Sequence, residues 1–247
     1  MTTQCVNGSV SLFIPAYNAG GMLQRVIERI PDSVMGCLLG IHIVDDGSLD
    51  DTKERAYEIQ RSNPIVRYTG FEKNSGYGAA VKRGLELCRK DGSDVSVCLH
   101  SDGQYPPEYI PEIAEFMLSR GYDIIQGSRI AYGSVLKKGM PVYKYVSGRV
   151  LSLLENMVFR NRMTDRHSGY MFYSRRALNL IDFENLSDSF DFDMEVLASS
   201  YSSGLSVSEY PVPARYSDEI SYLNPVLYGF RVLRVLLKYM TGRYLQK

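Results

Sequence analysis

Val97-Cys98-Leu99-His100-Ser101-Asp102-Gly103-Gln104-Tyr105-Pro106-Pro107-Glu108 changes character midway. The apolar run from Val95 to Leu99 reads as a buried strand. It ends abruptly in polar, metal-capable side chains, and Pro106-Pro107-Glu108 reads as a turn into a helix over Tyr109–Leu118. His100, Asp102 and Gln104 therefore fall just past a strand's carboxyl end, where open α/β sheets bind ligands.

Outward from this segment, short apolar runs alternate with helical patterns. Strands are predicted at Val10–Ile14, Ile41–Val44, Ile65–Tyr68, Val95–Leu99 and Ile124–Gly127, and helices at Met22–Arg29, Asp51–Arg61, Ala79–Arg89 and Tyr109–Leu118. That alternation indicates an α/β chain with a mostly parallel central sheet and helices on both faces. After Gly127 the pattern loosens. Ala131–Pro141 reads as a Gly- and Lys-containing loop of flap-like length, followed by a helix over Tyr143–Phe159, a strand near Tyr170–Tyr173, a helix near Met194–Ser202, a strand at Leu205–Tyr210 and a closing helix from about Val226 to Tyr244.

With 247 residues, 45% of them hydrophobic, the chain can bury a full core as one domain. Its formal net charge of zero supplies no basic field for nucleic acid. Cys5, Cys37, Cys88 and Cys98 lack C-x-x-C spacing, and no signal peptide is evident, so a reduced, cytoplasmic setting is expected. No apolar run approaches the roughly 18 residues of a membrane span.

A parallel sheet gathers the carboxyl ends of its strands on one edge. Here those ends read Ile14-Pro15-Ala16-Tyr17-Asn18, Val44-Asp45-Asp46-Gly47-Ser48, Asn74-Ser75-Gly76-Tyr77-Gly78 and His100 to Gln104. They describe an aromatic wall, carboxylates for a base or ribose, glycines for close backbone approach, and a metal end. A nucleoside diphosphate needs these features, since its charge is commonly neutralised by a divalent cation held by one or two protein carboxylates. Asp45, at the strand end, is expected to contact ligand, whereas Asp50 and Asp51 read as helix-capping acids. Gly76-Tyr77-Gly78 lacks the third glycine of a dinucleotide fingerprint.

In this order the segments resemble the family 2 glycosyltransferases of GT-A fold, especially the branch of dolichyl- and polyprenyl-phosphate sugar synthases. The resemblance rests also on Gly127-Ser128-Arg129, His167-Ser168-Gly169-Tyr170 and Glu209-Tyr210-Pro211-Val212-Pro213. It implies a Rossmann-like sandwich with a C-terminal helix. Residues 1–127 would form the nucleotide-sugar-binding half, 128–220 an acceptor-facing half and 221–247 an amphipathic helix. Pro15, Tyr17, Asp45, Asp46, Gly76, Ser101 and Asp102 would surround the donor. Asp102 matches the second acid of the family's Asp-x-Asp motif, which holds Mn²⁺ or Mg²⁺ on the donor diphosphate; Gln104 matches a further ligand of the lipid-linked branch, and Arg129 an arginine directed at phosphate.

Two positions depart from the pattern. Ala19 stands where the family has Glu after Tyr-Asn, and His100 stands where it has the first acid of Asp-x-Asp. Exchanging a carboxylate for neutral imidazole lowers the site's charge and favours nitrogen-accepting Mn²⁺, so dependence on Mn²⁺ at least equal to Mg²⁺ is expected, with His100 a candidate ligand or a hydrogen-bonder.

Inversion by a hydroxyl acceptor needs a base, and the candidates are Asp165, Asp193, His167 and Glu195, with the first two ahead. A phosphate acceptor needs none. The tail from Ile220 to Lys247 carries Arg231, Arg234, Lys238, Arg243 and Lys247 with no acid, interleaved with apolar residues. It fits either an anionic membrane surface or the body of the domain. Lys137, Lys138 and Lys144 read either as lining the acceptor entrance or as ordinary solvated loop lysines. The sequence thus points to an inverting, metal-dependent glycosyltransferase using a nucleoside diphosphate sugar and a polyprenyl phosphate, with peripheral contact at the inner face of the membrane. The rivals are extension of a surface glycan at a hydroxyl, a non-catalytic nucleotide-sugar-binding protein and a nucleotidyltransferase; a nicotinamide dehydrogenase ranks last.

Overall fold

A computed structural model describes residues 6–133, 142–213 and 225–245. In chain order the elements are β1 (Val10–Ala16), α1 (Gly20–Glu28), α2 (Asp32–Met35), β2 (Leu38–Asp45), α3 (Thr52–Ser62), β3 (Val66–Gly70), α4 (Tyr77–Asp91) and β4 (Val95–Cys98). There follow α5 (Ile110–Arg120), β5 (Ile124–Ser128), α6 (Arg129–Tyr132), α7 (Val142–Phe159), β6 (Met171–Ser174), α8 (Arg175–Leu180), α9 (Phe192–Ser202), β7 (Val207–Pro211) and α10 (Pro225–Met240). Each strand and helix expected in the first half is present, with ends displaced by up to three residues.

Among the described residues seven strands form one sheet, in the order β3-β2-β1-β4-β6-β5-β7. Strand β1 is buried along its whole length because both faces are covered. Val10, Leu12 and Ile14 join the core on one face with Leu23, Val97 and Ile110. Phe13, between them, joins the opposite core with Val81, Leu85 and Phe192. The period-two alternation of a strand produces this division.

Strand order reverses at β1, with β2 and β3 on one side and β4 on the other, all parallel. Such a switch point opens a crevice at the carboxyl edge. Strand β6 is antiparallel to both of its neighbours, β4 and β5. Its beginning therefore lies where the other strands end, and the residues before it, 165–170, are delivered to the ligand edge. Hydrophobic periodicity carries no information on strand direction. The sheet also runs continuously across the boundary expected at 127/128, since β5 is flanked by β6 and β7.

Three helices went unpredicted, α2, α6 and α8, of four, four and six residues. They are too short to display a 3.6-residue period. The last helix ends at Met240 rather than near Tyr244, and the chain turns through Gly242, whose φ is +72°. The expected flap begins inside α6; its remainder, 134–141 with Lys137 and Lys138, lies outside the described residues, as do the side chain of Lys144 and residues 214–224.

Candidate active site

The loops after β1 and β2 are bolted to each other. Asn18 takes the left-handed conformation, φ 51°, which asparagine tolerates better than most residues. Its N–H donates to Ser48 Oγ at 2.9 Å and its Oδ1 accepts from Leu49 N–H at 2.8 Å. Ala19 N–H donates to Thr52 Oγ1 at 2.8 Å, so the backbone at the departure from the family pattern is fixed without a glutamate. Asp50 accepts from the N–H groups of Thr52 and Gly20, whereas Asp51, at the N-cap of α3, makes no side-chain cap bond and pairs with Arg55. Pro15 lies within β1 beside Val44, and Tyr17 is half-buried at the strand's mouth.

The buried carboxylate of Asp45 accepts from Ser48 N–H at 2.9 Å, from Ser48 Oγ at 2.5 Å and from Tyr68 Oη at 2.9 Å. Both oxygens are thus engaged within the protein. Asp46 anchors the next loop. Ser75 N–H donates to its Oδ1 at 2.7 Å and Gly76 N–H to its Oδ2 at 3.0 Å, while burial still pushes its carboxyl above the usual range. At Gly76 φ is +105°, and an added Cβ would come within 2.3 Å of the Asp188 carbonyl oxygen. Only glycine suits both conditions.

At the end of β4, the ring of His100 stacks edge-on against Tyr105 and lies beside Tyr77, with centroid separations of 5.2 and 5.6 Å. Its Nε2 is 3.1 Å from the carbonyl oxygen of Gly169, an atom that can only accept, so the proton resides on Nε2 and Nδ1 keeps the lone pair. Burial depresses the imidazole below its ordinary pKa, against the pull of Asp102, and it is neutral at pH 7. A Cβ on Gly169 would stand 2.4 Å from that Nε2, so a side chain there would evict the ring. Ser101, next in the chain, is buried.

Asp102 is half-buried. Its Oδ1 accepts from Gln104 N–H at 2.9 Å, an Asx turn that aligns residues 102–104 and leaves Oδ2 outside the turn. Among the described residues no three His, Cys, Asp or Glu side chains form a cage for a cation. One carboxylate, an imidazole lone pair and an amide fit a cation whose remaining ligands come from substrate phosphates and water.

The second half brings Arg129, Asp165 and His167 together. Arg129 Nε and Nη2 donate to the two oxygens of Asp165 at 2.8 and 3.1 Å, and Nη2 also donates to the His167 carbonyl at 3.1 Å. Burial raises the Asp165 carboxyl, but Arg129 outweighs it and holds the group below the usual range. An ionised carboxylate clamped by a guanidinium is a poor proton acceptor. Burial drives His167 down to about 4, a second feeble base.

Asp193, at the start of α9, is different. Tyr77 Oη donates to its Oδ2 at 2.9 Å, its Oδ1 is buried without a hydrogen-bond partner, and burial pushes it up to about 7. Through Tyr77 it is linked to His100, whose Nε2 lies 3.3 Å from the same hydroxyl. Glu195 does not join this group. It accepts from Lys238 Nζ at 2.5 Å, Tyr244 Oη at 2.7 Å and Ser187 N–H at 2.6 Å, tying α10 to α9.

Sequence reasoning passed over Tyr77, which bridges His100 and Asp193 from inside a quoted motif. It also passed over Glu155, the lone acid between 142 and 162. The single acid of a helix whose other charges are basic was the signal available for Glu155.

The sequence profile of glycosyl transferase family 2 matches residues 11–181. The chain is 26% identical over 249 residues to the UDP-N-acetylglucosamine–dolichyl-phosphate N-acetylglucosaminyltransferase of Methanococcus voltae, covering 96% of this chain and 98% of that one. It is 36% identical over 137 residues to a dolichol-phosphate mannosyltransferase of Pyrococcus furiosus, covering 55% of this chain and 37% of that one. In fold it is similar to glucosyl-3-phosphoglycerate synthase from Mycobacterium tuberculosis, solved with Mn²⁺, UDP and glucosyl-3-phosphoglycerate. The TM-score is 0.71 at 19% identity, covering 94% of this chain and 80% of that one. With the GT-A architecture and a family match spanning the donor loops, β4 and the start of the second half, this enzyme belongs to glycosyl transferase family 2.

Proposed function

We propose that the enzyme moves a sugar from a nucleoside diphosphate sugar to a polyprenyl phosphate by direct displacement with inversion. The donor would lie in the crevice between β1 and β4, against Pro15, Tyr17, Asp46, Gly76 and Ser101. Asp45 would shape that wall through Ser48 and Tyr68. Asp102, Gln104 and the Nδ1 lone pair of His100 would hold a divalent cation, which when bound neutralises the departing diphosphate. Arg129 would exchange part of its grip on Asp165 for a phosphate oxygen, a geometry its planar fork suits. A phosphate acceptor is already anionic, so the reaction asks for no base, in keeping with the weak basicity of Asp165 and His167.

The observation that carries the choice of acceptor is the surface beside Arg129. His167, whose carbonyl Arg129 holds, contacts α10 through Tyr228 Oη at 3.0 Å from Nδ1 and faces α7. On α7, Val142, Val146, Val150, Leu153 and Met157 repeat at helical spacing and are 52% to 68% exposed. On α10, Val226, Phe230, Leu233, Leu237 and Met240 do the same at 41% to 70%. The only acid in 142–162 is buried Glu155 and none occurs in 225–245, while Arg160, Arg162 and Arg234 are exposed. Apolar stripes with basic flanks suit the interface of an anionic bilayer, where a polyprenyl phosphate resides. Among the described residues no helix is long and apolar enough to cross a membrane. The protein should bind vesicles containing phosphatidylglycerol and not neutral ones. Leu153→Asp with Phe230→Asp should lower the bound fraction about tenfold, since each change replaces an exposed apolar side chain that would enter the bilayer by a charge that anionic lipid repels. Undiminished binding by the double variant would refute the surface; a dimer in ultracentrifugation without vesicle binding would assign it to a second copy.

The near-neutral, half-unpartnered carboxyl of Asp193 favours a second reading, a hydroxyl acceptor with Asp193 as base. Asp193→Asn separates the two. Turnover with a polyprenyl phosphate should persist within about tenfold, whereas removal of a true general base costs on the order of 10²–10⁴. Activity on a glycan hydroxyl alone, lost in Asp193→Asn, would overturn the phosphate reading.

A further inference from the structure

Glu155 is fully buried on α7, yet neither of its carboxyl oxygens has a hydrogen-bond partner. His167 Nε2 is 3.4 Å from Oε1, off the line that a hydrogen bond needs, and is likewise unpartnered. One turn earlier on α7, Ser152 Oγ is a fourth buried atom without a partner. Burial without a hydrogen-bond partner makes a carboxylate costly, so the group is held as the neutral acid. Burial pushes it up to about 8, opposed by Arg166 and assisted by Asp165. The groups electrostatically coupled to Glu155 are Asp165, Arg166 and His167 from the segment after α7, Tyr201 of α9 and Tyr228 of α10.

A neutral acid brings one O–H and a neutral imidazole brings one vacant lone pair. A small rotation of either side chain closes the 3.4 Å approach into a bond from Glu155 O–H to His167 Nε2. His167 then carries its proton on Nδ1 and donates it to Tyr228 Oη, 3.0 Å away. The backbone of the same histidine belongs to the cradle in which Arg129 sits. Its N–H donates to Asp165 Oδ1 at 3.2 Å, and its carbonyl accepts from Arg129 Nη2 at 3.1 Å.

We propose that Glu155 is a positioning residue, a buried acid that holds His167 between α7 and α10 and so fixes the segment on which Arg129 is seated. The role assigned to Arg129 rests on the function proposed above; the placement of the proton does not. Docking of the two helices and alignment of the arginine then become one structural unit, joined through the two ring nitrogens of a single histidine.

Histidine-selective ¹⁵N spectroscopy of the full chain tests the proton directly. Between pH 6.5 and 7.5 His167 should be the Nδ1–H tautomer, and Glu155→Gln, which keeps a donor, should preserve it. Glu155→Leu should alter it. An Nε2–H tautomer in the unmodified protein, or a spectrum indifferent to Glu155→Leu, would overturn the proposal whether or not a sugar acceptor is ever found. In transfer assays Glu155→Leu should reduce kcat about tenfold or more with the donor KM little changed, because a displaced arginine misorients the reacting groups. Glu155→Gln should restore turnover. Above about pH 8 the unmodified acid ionises and loses its donor, so activity should fall there, and Glu155→Gln should lack that decline. Full activity of Glu155→Leu with an altered tautomer would reduce Glu155 to a packing role and refute positioning.

Discussion

Replacing Asp102 with asparagine should abolish the metal-dependent binding of nucleoside diphosphate and lower kcat/KM by at least about 10²–10³, the scale of removing one preorganised electrostatic contact from a reacting centre. The effect is expected to be this large because the charge is so concentrated. Among the described residues no cluster of three His, Cys, Asp or Glu side chains could share a cation, and burial holds His100 below its ordinary pKa, so its ring adds no charge. The amide that replaces the carboxylate has the same size and keeps an oxygen for the Gln104 N–H, so the turn should survive. The measurement is thermal stabilisation by UDP, GDP, CDP and dTDP, each with Mn²⁺, Mg²⁺ or chelator, before and after the substitution. A metal-dependent shift seen with one nucleotide identifies the donor class, and its persistence in Asp102→Asn would refute the assignment of the cation site. His100→Asp in the same assay should move preference toward Mg²⁺, since it restores a hard oxygen ligand and one negative charge.

Arg129→Ala should destabilise the fold as well as stop the reaction. Asp165 is 2% exposed and its two oxygens face the guanidinium, so removing Arg129 leaves a buried charge without its partner. Breaking such a pair from one side costs about 3–5 kcal/mol. Asp165→Asn on top of Arg129→Ala should recover much of that stability, because no charge is then stranded, but none of the turnover. Chemical denaturation of the two variants separates the effects. Equal stability of Arg129→Ala and the native enzyme would show the pair to be loosely held in solution. The pH dependence follows from the direction of the shift at Asp165. A carboxyl held below its unfolded value contributes stability above that unfolded value, and the contribution is lost as pH falls through the folded one. The gap between native enzyme and Arg129→Ala should therefore close on acidification.

The sequence by itself determined the strands and the chemistry at their ends. Val10–Ala16 and Leu38–Asp45 are nearly continuous apolar runs because a parallel sheet covered on both faces leaves no polar side. The carboxyl end of each such strand is where polarity begins, so Asp45, Asp46, His100 and Asp102 were legible as edge residues. Residue type and local spacing, however, do not reveal what a side chain touches. Asp45 reads as a ligand contact from its position, yet Ser48 and Tyr68 engage both of its oxygens. Tyr68 comes from the next strand, a partner that only pairing of β2 with β3 supplies. Of the four candidate bases the sequence placed Asp165 and Asp193 ahead, without separating those two. Burial and neighbours separate them: Arg129 clamps Asp165, Lys238 and Tyr244 take Glu195, burial disarms His167, and Asp193 is left near neutrality. Each of these contacts except Arg129 with Asp165 depends on helix packing, and that one depends on the direction of β6. Strand direction and long-range packing arise from the closure of the whole core, so the tertiary structure alone decided which polar residues are tied up in internal contacts and which carboxyls burial shifts.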